Sequence, residues 1–395
     1  MSKKIRVGMV GGGNESFMGS IHRAAIGQSG CVELVCGAFG STRQSSFETG
    51  KALNLPTRRS YGTYRDMFRR EASLPEDERM DFAVVLAPNT MHYPVAMSAI
   101  DAHFPLLSEK PFTCNMDEAL NLTRKLRSSE LAYGIAFVYA GYPMLQKAKD
   151  LIQNEKALGT LRKIVATYSL GWMAQRLETA GNKQAGWRTD PRRCGQGGCL
   201  IDLGTHCFYL SEWLTGLSVS EVCADLRPTV AGRIIDDDCG VLVRFDGGAR
   251  GVFLASQVAT GSNEGITVEA FGDKAALHWS QAEPERLTLR AVDGTAQAFT
   301  GGTAAERSAS LTPCPYGNNT AYIAALAETY RSFAAYLEAP KKERSGNGFS
   351  FATAEEGLRA VTFADAVLKN TAAPEEGQPP QGKWTTFNVP AIPVL

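Results

Sequence analysis

The 395-residue chain has no excess of charge: 41 Lys and Arg are matched by 41 Asp and Glu. That balance argues against a basic face for nucleic acid or an anionic membrane. No apolar run approaches the roughly 20 residues that a membrane span needs. The opening MSKKIRVGMVGGG carries two lysines but runs into glycines, so it reads as a first strand rather than a signal peptide. Nine cysteines (Cys31, Cys36, Cys114, Cys194, Cys199, Cys207, Cys223, Cys239 and Cys314) form neither a CxxC pair nor a Cys/His zinc pattern. An odd, scattered set predicts reduced, buried thiols in a cytoplasmic protein, with no metal site. Internal repeats are also missing.

What is present is an ordinary globular composition, 44% hydrophobic and 21% charged, in a chain long enough for two domains. Strand-like and helix-like segments alternate through the first third. Strands are predicted over 5–10, 32–39, 81–87, 105–108 and 131–138, and helices over 20–28, 42–53, 64–71, 93–102 and 116–129. The run DFAVVLA is apolar without alternation, as a strand buried on both faces should be. The pattern predicts parallel βαβ units. Beyond about residue 135 it changes. A helix over 143–155 and a strand over 162–170 precede a polar stretch, 171–198, with little periodicity. A helix over 199–214 follows, then closely spaced strands over 219–226, 239–245, 251–257, 266–271, 275–279 and 287–291, which predict a mostly antiparallel sheet. Helices are expected over 321–337 and 352–368, and a Pro- and Gly-rich surface arm over 371–382. The resulting division is 1–134 and 135–395.

Ligands of an open α/β sheet sit beyond the carboxyl ends of its strands. Four sequences fall there. The first is Gly11-Gly12-Gly13, between a strand and a helix, where glycines admit a pyrophosphate and the helix N-terminus supplies N–H donors. The GxGxxG spacing is not met, since position 16 is Ser and the next glycine is Gly19. Gly11, Gly13, Asn14, Phe17 and Met18 are the candidate dinucleotide contacts in this loop. The second is Ser41-Thr42-Arg43, after the second strand. It has no carboxylate for the ribose of NAD, and Ser41 and Arg43 are either partners for the extra phosphate of NADP or solvated helix residues. The third is Pro88-Asn89 with His92, candidates for the nicotinamide half, His92 reading more readily as a structural histidine. The fourth is Glu109-Lys110-Pro111, whose proline restricts the lysine backbone to extended conformations. Lys110 is there a catalytic candidate, and Glu109 a cofactor contact.

In the second half, Gly197-Gly198 open a helix in which Asp202 and His206 are spaced i, i+4 and share a helical face. A carboxylate beside a histidine fixes its tautomer and raises its basicity, which suits proton transfer; a surface ion pair is the plain alternative. Trp172 and Trp187 are candidates to stack on a sugar, and Arg188 and Asp190 to bond its hydroxyls, with Tyr168 and Tyr322 as weaker candidates.

The motifs LSEKPF at 107–112 and GG-x-x-x-D-x-x-x-H at 197–206, with the glycine-rich first turn, resemble the glucose–fructose oxidoreductase/inositol dehydrogenase family, Gfo/Idh/MocA. The resemblance extends to Pro88-Asn89 with His92, and to Gly141-Tyr142-Pro143. Trp187-Arg188-Thr189-Asp190 is similar to a subgroup acting on inositols, anhydrosugars and aldoses. It implies an N-terminal Rossmann domain, a C-terminal α/β domain with a large, mostly antiparallel open sheet used for homodimers or homotetramers, and NAD or NADP as cofactor. It also implies a catalytic group of Lys110, Asp202 and His206, with a cis Lys110–Pro111 bond. The reaction expected is reversible oxidation of a secondary hydroxyl on a cyclic polyol or sugar. His206 or Lys110 is the base. A cofactor-binding sensor without activity and a glycoside-cleaving enzyme with transient oxidation are the alternatives.

Overall fold

A computed structural model of the chain describes residues 4–14, 16–263, 265–301, 319–340, 349–371 and 383–392. Cys314 and most of the expected arm over 371–382 lie outside them. The described residues fall into two compact units. One contains residues up to Gly141 with Ile323–Leu358; the other contains Tyr142–Tyr322 and Arg359–Pro390.

The first unit is built on β1 (Ile5–Gly11), β2 (Val32–Ala38), β3 (Phe82–Leu86), β4 (Leu106–Ser108) and β5 (Tyr133–Ile135), all parallel, in the order β2-β1-β3-β4-β5. Helices Phe17–Ser29, Arg43–Ala52, Tyr64–Ala72, His92–Asp101 and Met116–Ser129 connect them. Most begin at a side-chain cap: Ser16, Thr42, Thr63 and Asn115 each accept a backbone N–H of the first turn. Phe82 through Val85 are wholly buried, as the unbroken apolar run requires. The last strand is shorter than expected. Beyond Ile135, which exchanges backbone hydrogen bonds with Ala352, the chain turns into a 3₁₀ segment, Val138–Gly141. Helix Asn319–Glu338 returns to this unit and sets Phe333 against Phe82, ring centroids 5.2 Å apart.

The second unit holds a nine-stranded sheet: β6 (Leu161–Ser169), β7 (Val219–Arg227), β8 (Asp238–Phe245), β9 (Arg250–Ser256), β10 (Gly265–Gly272), β11 (Ala275–Ser280), β12 (Arg286–Ala291), β13 (Ala296–Thr300) and β14 (Thr385–Thr386). Its order is β13-β12-β11-β10-β6-β9-β8-β7-β14, antiparallel throughout except for β6 with β9. β13 was not expected, because its residues are mostly exposed and carry no apolar alternation; the Asp293-Gly294 turn folds it back on β12. Helices Pro143–Gln153 and Thr205–Thr215 pack on each other, and Gln153 Nε2 donates to the terminal carbonyls of Trp213 and Leu214. Strand residues alternate between this helix side and an outward face on which Leu242 and Leu254 are 47% and 45% exposed.

The stretch 171–198 is ordered into short pieces: the 3₁₀ turn Leu177–Ala180 and helices Lys183–Arg188 and Pro191–Cys194. Buried Arg233 anchors it, donating to Glu178 and the Gln175 carbonyl while pairing with Asp237. Among the described residues no helix is long and apolar enough to cross a membrane.

Candidate active site

In the first unit, the parallel register brings four predicted segments to one sheet edge. Gly11 lies opposite Leu86, Val10 opposite Ala38, and Val85 opposite Ser108. The residues that follow these strand ends are therefore neighbours at the carboxyl edge, where the strand order reverses.

The glycine turn has the backbone its composition implies. Gly11 and Gly12 have φ of 82° and 68°, which side-chain-bearing residues rarely adopt. A Cβ on Gly13 would come within 2.7 Å of the Phe39 carbonyl oxygen. Gly19 performs the close helix-to-turn approach that position 16 cannot: a Cβ there would lie 2.8 Å from Gly12 Cα. Ser16 instead caps the helix, its Oγ accepting from Gly19 N at 3.1 Å. Asn14 is exposed, Phe17 and Met18 are half-buried at the helix start, and the first turn carries no acidic side chain. Arg23 donates to the Gly12 carbonyl, bracing the turn from one helical turn below. Backbone N–H groups, left-handed glycines and a first helical turn without acidic side chains fit a pyrophosphate.

After β2, Thr42 caps helix Arg43–Ala52 and Arg43 stands over the Phe47 ring at 5.4 Å; Ser41, Thr42 and Arg43 are exposed. After β3, Pro88 is exposed and Asn89 buried. His92 departs from the cofactor contact expected of it. It is buried, with Nδ1 2.7 Å from the Pro111 carbonyl and Nε2 3.0 Å from the Ala87 carbonyl. The ring lies between the backbones that follow β3 and β4; when neutral, its one N–H donates to a single carbonyl, and only the imidazolium donates to both. Burial holds its pKa below the usual histidine value, against the pull of the two carbonyls.

After β4, the Glu109 N–H donates to the Val85 carbonyl, and the Lys110 N–H lies 3.2 Å from Glu109 Oε2. The Lys110–Pro111 bond is cis. Glu109 Oε1 lies 2.9 Å from His22 Nε2, and His22 Nδ1 lies 2.8 Å from the Tyr330 hydroxyl. Neither His22 nor Tyr330 was singled out in the sequence. Both sit on helices whose apolar pattern hides them, and Tyr330 is more than three hundred residues from its partner.

In the second unit, the region expected to be one helix from 199 begins as a π-helix, Leu200–Gly204, and becomes α-helical at Thr205. Asp202 lies in the π segment and His206 beyond it, so the four-residue spacing does not have its α-helical meaning. Buried Asp236 organises this start: its Oδ1 accepts from Gly198 N at 2.6 Å and its Oδ2 from Leu200 N at 2.7 Å. Desolvation raises the Asp236 pKa, opposed by those N–H donors.

Asp202 Oδ2 accepts from Arg188 Nε at 3.0 Å and from Gln257 Nε2 at 2.9 Å. Arg188 therefore serves the carboxylate, rather than standing free for a sugar hydroxyl as expected. Its guanidinium also lies 4.2 Å from the Trp187 ring centroid and 5.6 Å from that of Trp172. Gln257, at the end of β9, is buried and was not anticipated. Asp190 is likewise reassigned: it caps helix Pro191–Cys194 and pairs with Arg192, because a short helix starting at Pro191 exposes N–H groups beside it. His206 is buried against Tyr168, ring centroids 5.8 Å apart. Tyr322 lies half-buried near the start of helix Asn319–Glu338. No group of His, Cys, Asp and Glu among the described residues is arranged to hold a metal ion.

Known proteins share both halves. The oxidoreductase family model with an NAD-binding Rossmann fold matches residues 5–137, and the GFO/IDH/MocA C-terminal domain model matches residues 145–278. An uncharacterized Bacillus subtilis oxidoreductase, YfiI, is 24% identical over 94% of this chain and 95% of its own. The levoglucosan dehydrogenase of Pseudarthrobacter phenanthrenivorans is 24% identical over 73% of this chain and 76% of its own. The crystal structure of an inositol dehydrogenase homolog from Azotobacter vinelandii, complexed with NAD+, superposes with a TM-score of 0.86 at 25% identity, covering 98% of each chain. With the glycine turn and the strand-end residues in place, the chain belongs to the Gfo/Idh/MocA family of oxidoreductases and carries that family's NAD-binding Rossmann domain.

Proposed function

We propose that this oxidoreductase reversibly oxidises a secondary hydroxyl of a cyclic polyol or sugar, of the inositol, aldose or anhydrosugar class. The observation that carries the reading is the setting of Asp202 and His206. A buried imidazole lies against Tyr168, and a carboxylate is held by Arg188 and Gln257, with Trp172 and Trp187 about the same guanidinium. Indole faces are suited to the apolar faces of sugar rings. Relatives named for levoglucosan and inositol lend the same direction.

When bound, the nicotinamide supplies the hydride acceptor, and that chemistry is the cofactor's own. Gly11, Gly13, Asn14, Phe17 and Met18 would hold its pyrophosphate side, and Pro88, Asn89 and Glu109 would contact it from the strand ends. The chain must take a proton from the hydroxyl and steady the oxygen as it gains charge. His206 takes the proton at a ring nitrogen, kept in orientation by the fixed Asp202 carboxylate. Lys110 donates to the reacting oxygen and stabilises its alkoxide character. Ser41 and Arg43, exposed and without a carboxylate beside them after β2, leave room for the extra phosphate of NADP as well as for NAD.

The outward sheet face with Leu242 and Leu254 is the surface through which we infer a homodimer or homotetramer. Sedimentation of Leu254→Lys checks it: an assembly unchanged from the parent protein removes that face.

The substrate class is tested by offering inositols, aldoses and anhydrosugars with NAD+ and with NADP+ and following absorbance of the reduced nicotinamide. Turnover of at least one such compound is expected. If none reacts with either cofactor, the polyol reading falls.

A further inference from the structure

Glu109 ends a line of buried polar groups drawn from three parts of the first unit. Its Oε1 lies 2.9 Å from His22 Nε2, on the helix whose N-terminus closes the glycine turn. His22 Nδ1 lies 2.8 Å from the Tyr330 hydroxyl, on helix Asn319–Glu338, and the two rings meet edge to face at 5.8 Å. His22 and Tyr330 are wholly inaccessible, and the Glu109 side chain is 13% exposed. On its other oxygen, Glu109 receives the Lys110 backbone N–H at 3.2 Å.

The donor and acceptor count selects one arrangement. A carboxylate only accepts, so Nε2 carries the proton that reaches Glu109. On a neutral ring Nδ1 is then an acceptor and takes the hydrogen of the Tyr330 phenol, whereas a second proton on Nδ1 would turn that hydrogen away from the ring. Every polar atom of the line is satisfied in that tautomer; in the other, Nε2 and Glu109 would face each other as two acceptors. Burial, with Glu109 nearby, drives the Tyr330 pKa well above that of a free phenol, so the hydroxyl keeps its proton. The line ends on a wholly buried group. It is built to hold rather than to carry protons to solvent.

We propose that His22 and Tyr330 are positioning residues, which fix the Glu109 carboxylate and, through its bond to the Lys110 amide, set the lysine for hydride transfer. One rigid helix then serves two purposes. Its N-terminus closes the glycine turn, and His22, on the same helix, holds the group that fixes the lysine backbone. A cofactor seated on the turn and the lysine are thereby held to a common frame.

The kinetic part rests on the dehydrogenase reading above; the spectroscopic part does not. In the full-length protein, ¹⁵N NMR of the His22 ring, assigned by its loss in His22→Asn, is expected to show a protonated Nε2 and an acceptor Nδ1. A protonated Nδ1 facing Tyr330 with bare Nε2 overturns the proposal. Tyr330→Phe keeps the ring and removes one hydroxyl. It is expected to move the Lys110 amide resonance and to lower kcat about tenfold or more, while KM for the polyol and NADH affinity by fluorescence stay within about threefold. An unmoved Lys110 amide or an unchanged kcat overturns it. Should Tyr330→Phe fail to fold, His22→Asn replaces it with the same expected outcomes, and the wild-type tautomer still decides. Should the wild type oxidise no polyol, the substrate reading fails alone, and the tautomer and amide measurements judge the positioning line.

Discussion

Arg188 Nε donates to Asp202 Oδ2 at 3.0 Å, and both side chains are about nine-tenths buried, 10% and 12% exposed. With Gln257 on the same oxygen, the carboxylate is held from two elements that the sequence separates widely. Removing one partner of a buried pair strands the other, at a cost of about 3 kcal/mol or more. Arg188→Gln is therefore expected to lower stability by about that amount in urea unfolding. It is also expected to cut kcat about a hundredfold by letting Asp202 drift from its productive position. A variant that keeps full turnover would show that Arg188 is only packing for the tryptophans.

Lys110 and His206 are proposed to handle one proton and one developing charge between them. Lys110→Ala and His206→Ala are each expected to lose about 10²- to 10⁴-fold in turnover, the range associated with a positioned acid or base. NADH should still bind, since the glycine turn is untouched. The check is a fluorescence titration beside the rate measurement. Near-normal turnover in either variant removes that residue from the chemistry.

Much of this site was legible because its groups stand at strand ends and in short motifs. Alternating apolar segments predicted the parallel sheet, and a parallel sheet must bring Gly11, Pro88 and Lys110 to one edge whatever the loops between them do. What escaped was long-range pairing. Nothing local marks Tyr330, in the middle of an apolar helix, as the partner of His22, nor Gln257, at the end of an ordinary strand, as a holder of Asp202. The π turn was hidden for a related reason. Residue spacing implies an α-helical period, whereas the winding at Leu200–Gly204 accompanies the two N–H bonds that Asp236 accepts from a distance of more than thirty residues. Arg188 and Asp190 stand out in the sequence as polar groups near the site, but spacing does not say that each has a partner in the protein.

Gly12 and Gly19 meet where the first helix touches the turn. Gly12 holds φ at 68°, and a Cβ on it would come within 2.9 Å of Leu86 Cδ1. A non-glycine residue held in that region costs about 1–3 kcal/mol. Gly12→Ala is expected to weaken NADH binding at least tenfold, since about 1.4 kcal/mol is a factor of ten. Gly19→Ala should do the same by driving the helix off the turn. Calorimetric titration with NADH measures both, and an unchanged Kd in Gly19→Ala would mean that the helix and turn need not touch.

His92 gives the acid side of the stability profile a particular slope. The ring is buried, faces the carbonyls of Ala87 and Pro111, and has Glu109 and Lys110 as its charged neighbours. Burial places its folded pKa below the unfolded value of 6.5. Between those two values the unfolded chain binds a proton that the folded chain refuses, so stability rises with pH across the window and falls as the solution is acidified. The carboxylates Asp150, Asp190, Asp273 and Asp293, whose hydrogen bonds depress their pKa values, act only further down, below the carboxylate range. His92→Gln is expected to be less stable than wild type at neutral pH, because it removes the buried ring packed between the ends of β3 and β4. Its stability should also fall less steeply as pH drops below 6.5. Urea midpoints for the two proteins at a series of pH values, taken as a difference, isolate the contribution, since the other histidines are common to both. Parallel curves through that window would show that the ring takes its proton as readily in the fold as out of it. The bridge between the ends of β3 and β4 would then be carried by the charged imidazolium, donating to both carbonyls.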